Sequence, residues 1–205
     1  MSDPFAKLLK EIKACRLCIE QPFGRPLPHE PRPVLLASPR ARIGVFGQAP
    51  GTRVHASGVP FTDPSGDRLR AWMDVTREEF YDTSRVAIVP MGFCFPGLNL
   101  KGGDLPPRRE CAPRWRDRVI GALPNLELML LVGQYAHQWH LGEQRRRTLT
   151  ETVEAWREIT GASGTLKLFP LPHPSWRNNA WIKKNPWFER ELLPVLRAEV
   201  RRRLG

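Results

Sequence analysis

The sequence predicts an α/β fold: a single-domain α/β/α sandwich around a central, mainly parallel sheet of four strands. Three observations carry that expectation. Four short apolar runs, at 43–46, 85–90, 126–132 and 166–172, each end at a Gly or Pro turn, the pattern of buried strands. Segments of helical spacing separate them, so the strands are joined by crossovers and run parallel beneath helices on both faces. The 205 residues suffice for one sizeable core, and length alone gives no reason to divide the chain.

Taken in order, residues 3–14 place Phe5, Leu8, Leu9 and Ile12 on one face of a short amphipathic helix. Cys15-Arg16-Leu17-Cys18 follows, and then Pro22, Pro26, Pro28, Pro31 and Pro33, which make this stretch an irregular wrap over the surface. The first strand, Ile43 to Phe46, is broken by Gly47-Gln48-Ala49-Pro50-Gly51, and the polar loop beyond carries His55, Phe61 and Asp63. A helix over 67–75, with Leu69 and Trp72 on its apolar side, leads to the second strand, 85–90. Residues 91–112 then show no periodicity. A loop of that length in a compact domain is functional or is fastened by something other than hydrogen bonds.

A helix over 113–123 precedes the third strand, 126–132, and a further helix reaches Leu141. Thr148 to Glu151 has the form of a capping box at the start of a helix over 148–160. The fourth strand ends in His173-Pro174-Ser175-Trp176-Arg177-Asn178-Asn179, and a last helix spans 186–203. In a parallel sheet the four strand ends share one rim, where α/β folds bind ligands.

The chain carries 32 Lys and Arg against 21 Asp and Glu, a net charge of +11. That surplus suits a polyanion, although a merely basic surface has the same composition. Seven Trp, several beside Arg or Lys, suit stacking on unpaired bases together with phosphate contact. No apolar run approaches the roughly 18 residues of a membrane helix. The N-terminal stretch has no signal-peptide core, so a cytoplasmic location is expected. A monomer is expected as well.

Four cysteines in such a protein suit metal ligation better than disulfides. Cys15 and Cys18 form a two-residue knuckle, and Cys94 and Cys111 bracket the aperiodic loop. Zinc or an iron-sulfur cluster each takes four thiolates, and four unrelated buried thiols are the alternative. His173, at a strand end, is placed to donate a hydrogen bond to a ligand atom that becomes negative. Gln48 offers an amide to a polar ring edge or caps its turn. Phe61 stacks on a planar base or staples its loop to the core.

Gly47-Gln48-Ala49-Pro50-Gly51, the following Pro60-Phe61 and His173-Pro174-Ser175 together resemble the first and last motifs of the uracil-DNA glycosylase superfamily. The layout of the cysteines resembles its iron-sulfur branch, families 4 and 5. The resemblance covers residues 15 to about 180. It implies that Gly47, Gln48, Ala49, Pro50, Phe61 and Ser175 bind the base, with Phe61 stacked on it, and that His173 stabilises the departing uracil anion. It further implies a [4Fe-4S] cluster on Cys15, Cys18, Cys94 and Cys111. Trp176 and Arg177 are then a wedge that fills the gap left by the flipped nucleotide in uracil-containing DNA, backed by Asn178, Lys183 and Lys184.

Two departures from the family pattern matter. The first motif of the best-known family carries an aspartate, and that of the iron-sulfur branch a glutamate at the position of Gln48; here the motif holds no carboxylate. The water-activating group is then expected elsewhere, Asp104 first and Asp63 second, with Asp67 assigned to a helix start. The usual base-reading asparagine is replaced by Val89-Pro90-Met91-Gly92, so other groups, backbone amides among them, are expected to read the base. The expected activity is a monofunctional uracil-DNA glycosylase. The alternatives are a lesion-binding protein without turnover and a glycosylase for another base such as hypoxanthine or xanthine.

Overall fold

The computed structural model describes residues 3–162 and 164–205. Four strands, β1 (Ile43–Phe46), β2 (Val86–Ile88), β3 (Leu128–Val132) and β4 (Lys167–Leu171), form one sheet in the order β2-β1-β3-β4. All pairings are parallel: Val45 stands between Ile88 and Leu130, and Leu130 faces Phe169. From β1 the chain crosses to β2 on one side, then returns past β1 to β3 on the other. That reversal opens a crevice at the carboxyl ends of β1 and β3.

The helices before β2 are α1 (Pro4–Lys13), α2 (Leu17–Glu20), α3 (Thr52–Ser57), α4 (Pro64–Met73) and α5 (Arg77–Tyr81). Those after it are α6 (Cys111–Gly121), α7 (Gln134–His140), α8 (Leu149–Glu154), α9 (Trp156–Ala162), α10 (Asn179–Lys184) and α11 (Leu193–Leu204). Alternation along the strands sorts the core into two layers. Ile43, Val45, Val86, Ile88, Leu128 and Leu130 pack with Leu69, Trp72 and Met73 of α4 and with Leu196 and Val200 of α11. Phe46, Ala87, Met129 and Leu131 pack on the other face with Phe5, Leu8 and Ile12 of α1 and with Trp115 and Val119 of α6. A sheet buried on both faces requires such continuously apolar strands.

The four expected strands all form, and the capping box at Thr148 is made in both directions, at 3.1 Å each way. The helix expected over 148–160 is instead two, α8 and α9, meeting at Ala155. They bend around the sheet edge, so that Val153 and Trp156 join one core layer while Ile159 joins the other. The last helix begins with a π turn over Phe188–Leu192. Pro194 explains it, since proline has no N–H to give to the carbonyl four residues back. The helix expected at 67–75 starts earlier, at Pro64, because Asp63 caps it. Short helices α2, α3, α5 and α10 lack the length for a visible period.

The proline-rich segment covers the open edge of β2. Leu36 and Ile88 exchange backbone bonds of 3.0 and 2.6 Å, and the Val34 amide donates to Phe93 O at 2.7 Å. An edge strand covered in this way offers no free ladder to another chain. The amides of Met91 and Gly92 donate to Gly47 O and Gln48 O, each at 2.9 Å, extending the β1–β2 pairing to the rim. Among the described residues no helix is long and apolar enough to cross a membrane.

Candidate active site at the carboxyl edge of the sheet

The crevice at the strand ends widens into a cleft of about 540 Å³, within the range of small-ligand sites. Its walls come from the segments after β1, β2 and β4. Gly47, Gln48, Ala49, Pro50, Phe61, Asp63, Asp104, His173, Ser175, Trp176, Arg177 and Asn178 all line it. Lys183 and Lys184 do not; they stand exposed at the end of α10. Sequence reasoning passed over Arg53 and Arg68, which also line the cleft.

Phe61 is held in a backbone conformation that its residue type avoids. Its φ is +55°, in the left-handed region where a bulky side chain costs of order 1–3 kcal/mol. The surroundings hold it there. The Phe61 carbonyl accepts from the Tyr81 hydroxyl at 3.0 Å and from Arg70 at 3.3 Å, and Pro60 O accepts from the same hydroxyl at 2.8 Å. Arg70 is fixed in turn by Asp67 at 2.5 Å and lies against the rings of Phe80 and Tyr81. Gly66 completes the clamp: a Cβ there would fall 1.9 Å from Phe61 O, so only glycine fits. The Phe61 ring then lies against Gly47, its Cζ 3.3 Å from where a Cβ on that glycine would stand.

His173 sits at the end of β4, where burial pushes its pKa down to about 4, with Arg177 acting in the same direction and Asp63 opposing. The Ser175 amide donates to Nδ1 at 3.2 Å. That bond makes Nδ1 an acceptor and leaves the proton of the neutral ring on Nε2. The loop beyond is fastened at two points: Asn178 Nδ2 donates to His173 O at 2.7 Å, and Arg68 donates to Ser175 O at 3.1 Å. Gln48 stands nearby. Its Nε2 lies 3.1 Å from where a Cβ on Gly133 would stand, and His173 Cβ lies 3.6 Å from the same point.

The two carboxylates differ in what occupies them. Asp63 Oδ1 accepts from the Ser65 amide and hydroxyl and from the Gly66 amide, at 2.9, 2.5 and 3.3 Å, so it is committed to capping α4. Asp104 is exposed at the cleft mouth, and its carboxylate accepts no hydrogen bond among the described residues. Its pKa is raised, chiefly by desolvation and then by Asp63, with Arg177 opposing. A Cβ on Gly51 would meet Asp104 Oδ2 at 3.3 Å, which places the carboxylate against the first motif that lacks one. Met91 N and Gly92 N, by contrast, are consumed in the β1–β2 ladder and are not free to read a base.

Among the described residues some surface cations pair with carboxylates and others do not, Lys10, Arg40 and Arg114 away from the cleft among them. Arg16, Arg42, Arg85, Arg118, Arg146, Arg157 and Arg201 each meet a carboxylate within 4 Å elsewhere on the molecule. Among the described residues Arg53, Arg68, Arg177, Lys101, Lys183 and Lys184 take part in no such pair. Unpaired cations around a cleft attract phosphates. Trp176 is 73% exposed beside them, with the Arg177 guanidinium 5.9 Å from its ring.

Cys15, Cys18, Cys94 and Cys111 line one small cavity on the side of α6, with space of about 10 Å³ between them. Among the described residues no three His, Cys, Asp or Glu side chains are arranged to hold a single metal ion. Two of the sulfurs accept hydrogen bonds, from Trp115 Nε1 to Cys15 at 3.3 Å and from the Phe93 amide to Cys111 at 3.4 Å. Burial raises the Cys18 thiol to about 11 and those of Cys94 and Cys111 to about 12. Fully buried Arg116, on the helix that begins with Cys111, donates to Val89 O at 3.0 Å and to Pro90 O. It thus ties the cysteine helix to Pro90 in the cleft wall.

A cleft of this make suits a flat polar ring presented by a polyanion. The chain belongs to the Uracil DNA glycosylase superfamily, whose family model matches residues 35–197. Membership gives the general activity, that of a DNA glycosylase, a hydrolase of DNA repair acting on DNA. Cys15 and Cys18 fall outside the matched span.

The electrostatics make a prediction about acid. Burial holds His137 and His173 down to about 4 and His140 to about 3. Each ring is neutral in the fold but is protonated in the unfolded chain below the ordinary value of 6.5. The unfolded state therefore binds more protons throughout that window. Stability is full above pH 6.5 and is lost as pH falls toward 4. Urea unfolding at pH 7 and pH 5 should differ by on the order of 2 kcal/mol or more, and the ring NMR signals of His173 should titrate near 4.

Proposed function

We propose that the protein removes uracil from DNA by hydrolysing the N-glycosidic bond, leaving an abasic site and an uncut strand. The observation that carries this reading is the convergence in one cleft of Phe61, Gln48, a neutral His173 and the unpaired carboxylate of Asp104. One copy of the chain supplies every one of these groups. Arg53, Arg68, Arg177, Lys183 and Lys184 make the first contacts with phosphates. The nucleotide then rotates out of the stack, at a cost of a few kcal/mol, which Trp176 offsets by filling the gap.

Phe61 lies flat beneath the ring, and the Gln48 amide can accept from the ring N–H while donating to a ring carbonyl. As the bond from sugar to base breaks, its electron pair leaves with the base, and negative charge gathers on the base oxygens. His173 Nε2–H donates to that charge from a site where water is scarce, which strengthens the bond. Positive charge develops on the sugar, and the Asp104 carboxylate stabilises it. The raised pKa of Asp104 also makes it the better base for the attacking water, whose proton it accepts. No lysine lines the cleft among the described residues, which supports hydrolysis over a covalent amine step.

The four cysteines fit a [4Fe-4S] cluster in their chemistry. They converge on one cavity, two sulfurs already accept N–H donors, and the burial that raises the thiols is what a cluster's positive irons reverse. The cavity must still open beyond its present 10 Å³. When bound, the cluster supplies four covalent ties between the α1–α2 turn and the loop after β2. Protein purified without air should contain about four irons per chain, and Cys94→Ala should lose them; full iron retention in that variant contradicts the ligand set.

The reading is tested by incubating the protein with an end-labelled oligonucleotide holding one uracil, then treating with alkali. Cleavage at the uracil only after alkali is the expected result. Binding without cleavage would instead support a lesion-binding role, and cleavage at hypoxanthine but not uracil would reassign the base. Asp104→Asn should lower the turnover rate by about 10²- to 10⁴-fold with KM little changed. Asp63→Asn should act mainly through stability, by weakening the α4 cap.

A further inference from the structure

Beside the cleft stands a hairpin whose tip the proposed mechanism does not use. Residues 97–105 form a tight hairpin: Leu98 and Asp104 pair as an antiparallel bridge, the Asn99 amide donates to Gly103 O at 2.8 Å, and Leu105 N donates to Gly97 O at 2.9 Å. The Asn99 side chain locks the turn from inside, accepting from the amides of Lys101 and Gly103 at 2.9 and 3.0 Å. At the tip Leu100 is 107% exposed, flanked by Lys101, with Leu98 and Leu105 half exposed below it. The turn is therefore fastened while its apolar tip touches nothing.

Its foot adjoins the wedge of the cleft. Asp104 ends the hairpin within the cleft lining, and a Cβ on Gly103 would stand 3.5 Å from an Arg177 terminal nitrogen. Leu100 and Trp176 are thus exposed apolar tips on adjoining elements, with Lys101 and Arg177 beside them outside any ion pair among the described residues. An apolar side chain on a rigid turn among free cations matches the way wedge residues enter a base step while lysines and arginines hold the backbone. Isolated exposed leucines are common on surfaces. The locked turn and its continuity with the base cleft set this one apart.

We propose that the 98–104 hairpin is a second DNA-inserting element, with Leu100 entering the stack of double-stranded DNA beside the flipped nucleotide and Lys101 on a phosphate. Two tips side by side fill more of the disrupted stack than Trp176 alone. The substrate this favours is duplex DNA over a single strand, because only a duplex has a stack to be held open on both sides of the lesion. The inference rests on the glycosylase reading only in taking DNA with a flipped nucleotide as the partner.

The test is fluorescence anisotropy with wild type, Leu100→Ala and Leu100→Met on three probes. These are a duplex holding 2′-fluoro-2′-deoxyuridine, which resists hydrolysis, the same strand alone, and a duplex with a tetrahydrofuran abasic analogue. Leu100→Ala should weaken binding to both duplexes about tenfold, the loss of one stacking contact, and to the single strand by less than about twofold. Leu100→Met should bind like wild type. Equal losses on duplex and single strand, or no loss on either duplex, would overturn the proposal. Failure of the uracil reading shows differently: wild type would then bind the uracil-analogue duplex no better than a control duplex with thymine at that position, while the abasic duplex, which presents no base, still reports on Leu100.

Discussion

The Phe61 carbonyl carries more of this site than any other atom. It collects the Tyr81 hydroxyl and Arg70, and it presses on Gly66 at a distance no Cβ could tolerate. Those contacts hold a left-handed phenylalanine that the local sequence alone would not adopt. The consequence is a ring fixed at the floor of the cleft before any base arrives. A ring already in place loses no rotamer freedom on binding, so more of the stacking energy goes toward holding a flipped nucleotide. The cost appears elsewhere, in Arg70, Asp67 and Tyr81, whose main duty is support.

Two opposite electrostatic adjustments meet above that floor. Burial makes His173 a neutral donor, and the Ser175 amide decides which nitrogen keeps the proton. Partial desolvation at the cleft mouth also makes the Asp104 carboxylate more basic, while Arg177 limits how far. One low-dielectric rim thus shifts an acid and a base in opposite senses, as expected when desolvation penalises the charged form of each. The arrangement suits a reaction that separates charge, with the base becoming negative on the His173 side and the sugar positive on the Asp104 side.

Much of this was legible in the sequence. The four strands showed as apolar runs ending in Gly or Pro, and the residues placed on the rim, from Gln48 to Asn178, do line one cleft. Asp104 was legible because glycines beside it promised close approach. What the sequence hid was tertiary. The clamp joins Tyr81 and Arg70 to Phe61 across 20 and 9 positions, at a spacing no periodicity marks. Asp67 does lie in the first turn of α4, where it also braces Arg70, while the cap itself is Asp63. A helix beginning with Pro-Ser-Gly gives little amphipathic signal, so its true start was obscured. Backbone amides were expected among the groups that read the base, yet those of Met91 and Gly92 are used by the extension of the sheet.

The neutral state of His173 is the hinge of the chemical account, and the single-turnover rate of uracil excision against pH tests it most directly. If His173 acts as a neutral donor, the rate rises once, as Asp104 ionises, and then stays flat through the ordinary histidine value of 6.5. A rate that falls as pH rises through 6.5 would mean that a protonated imidazole is required, and would contradict the account.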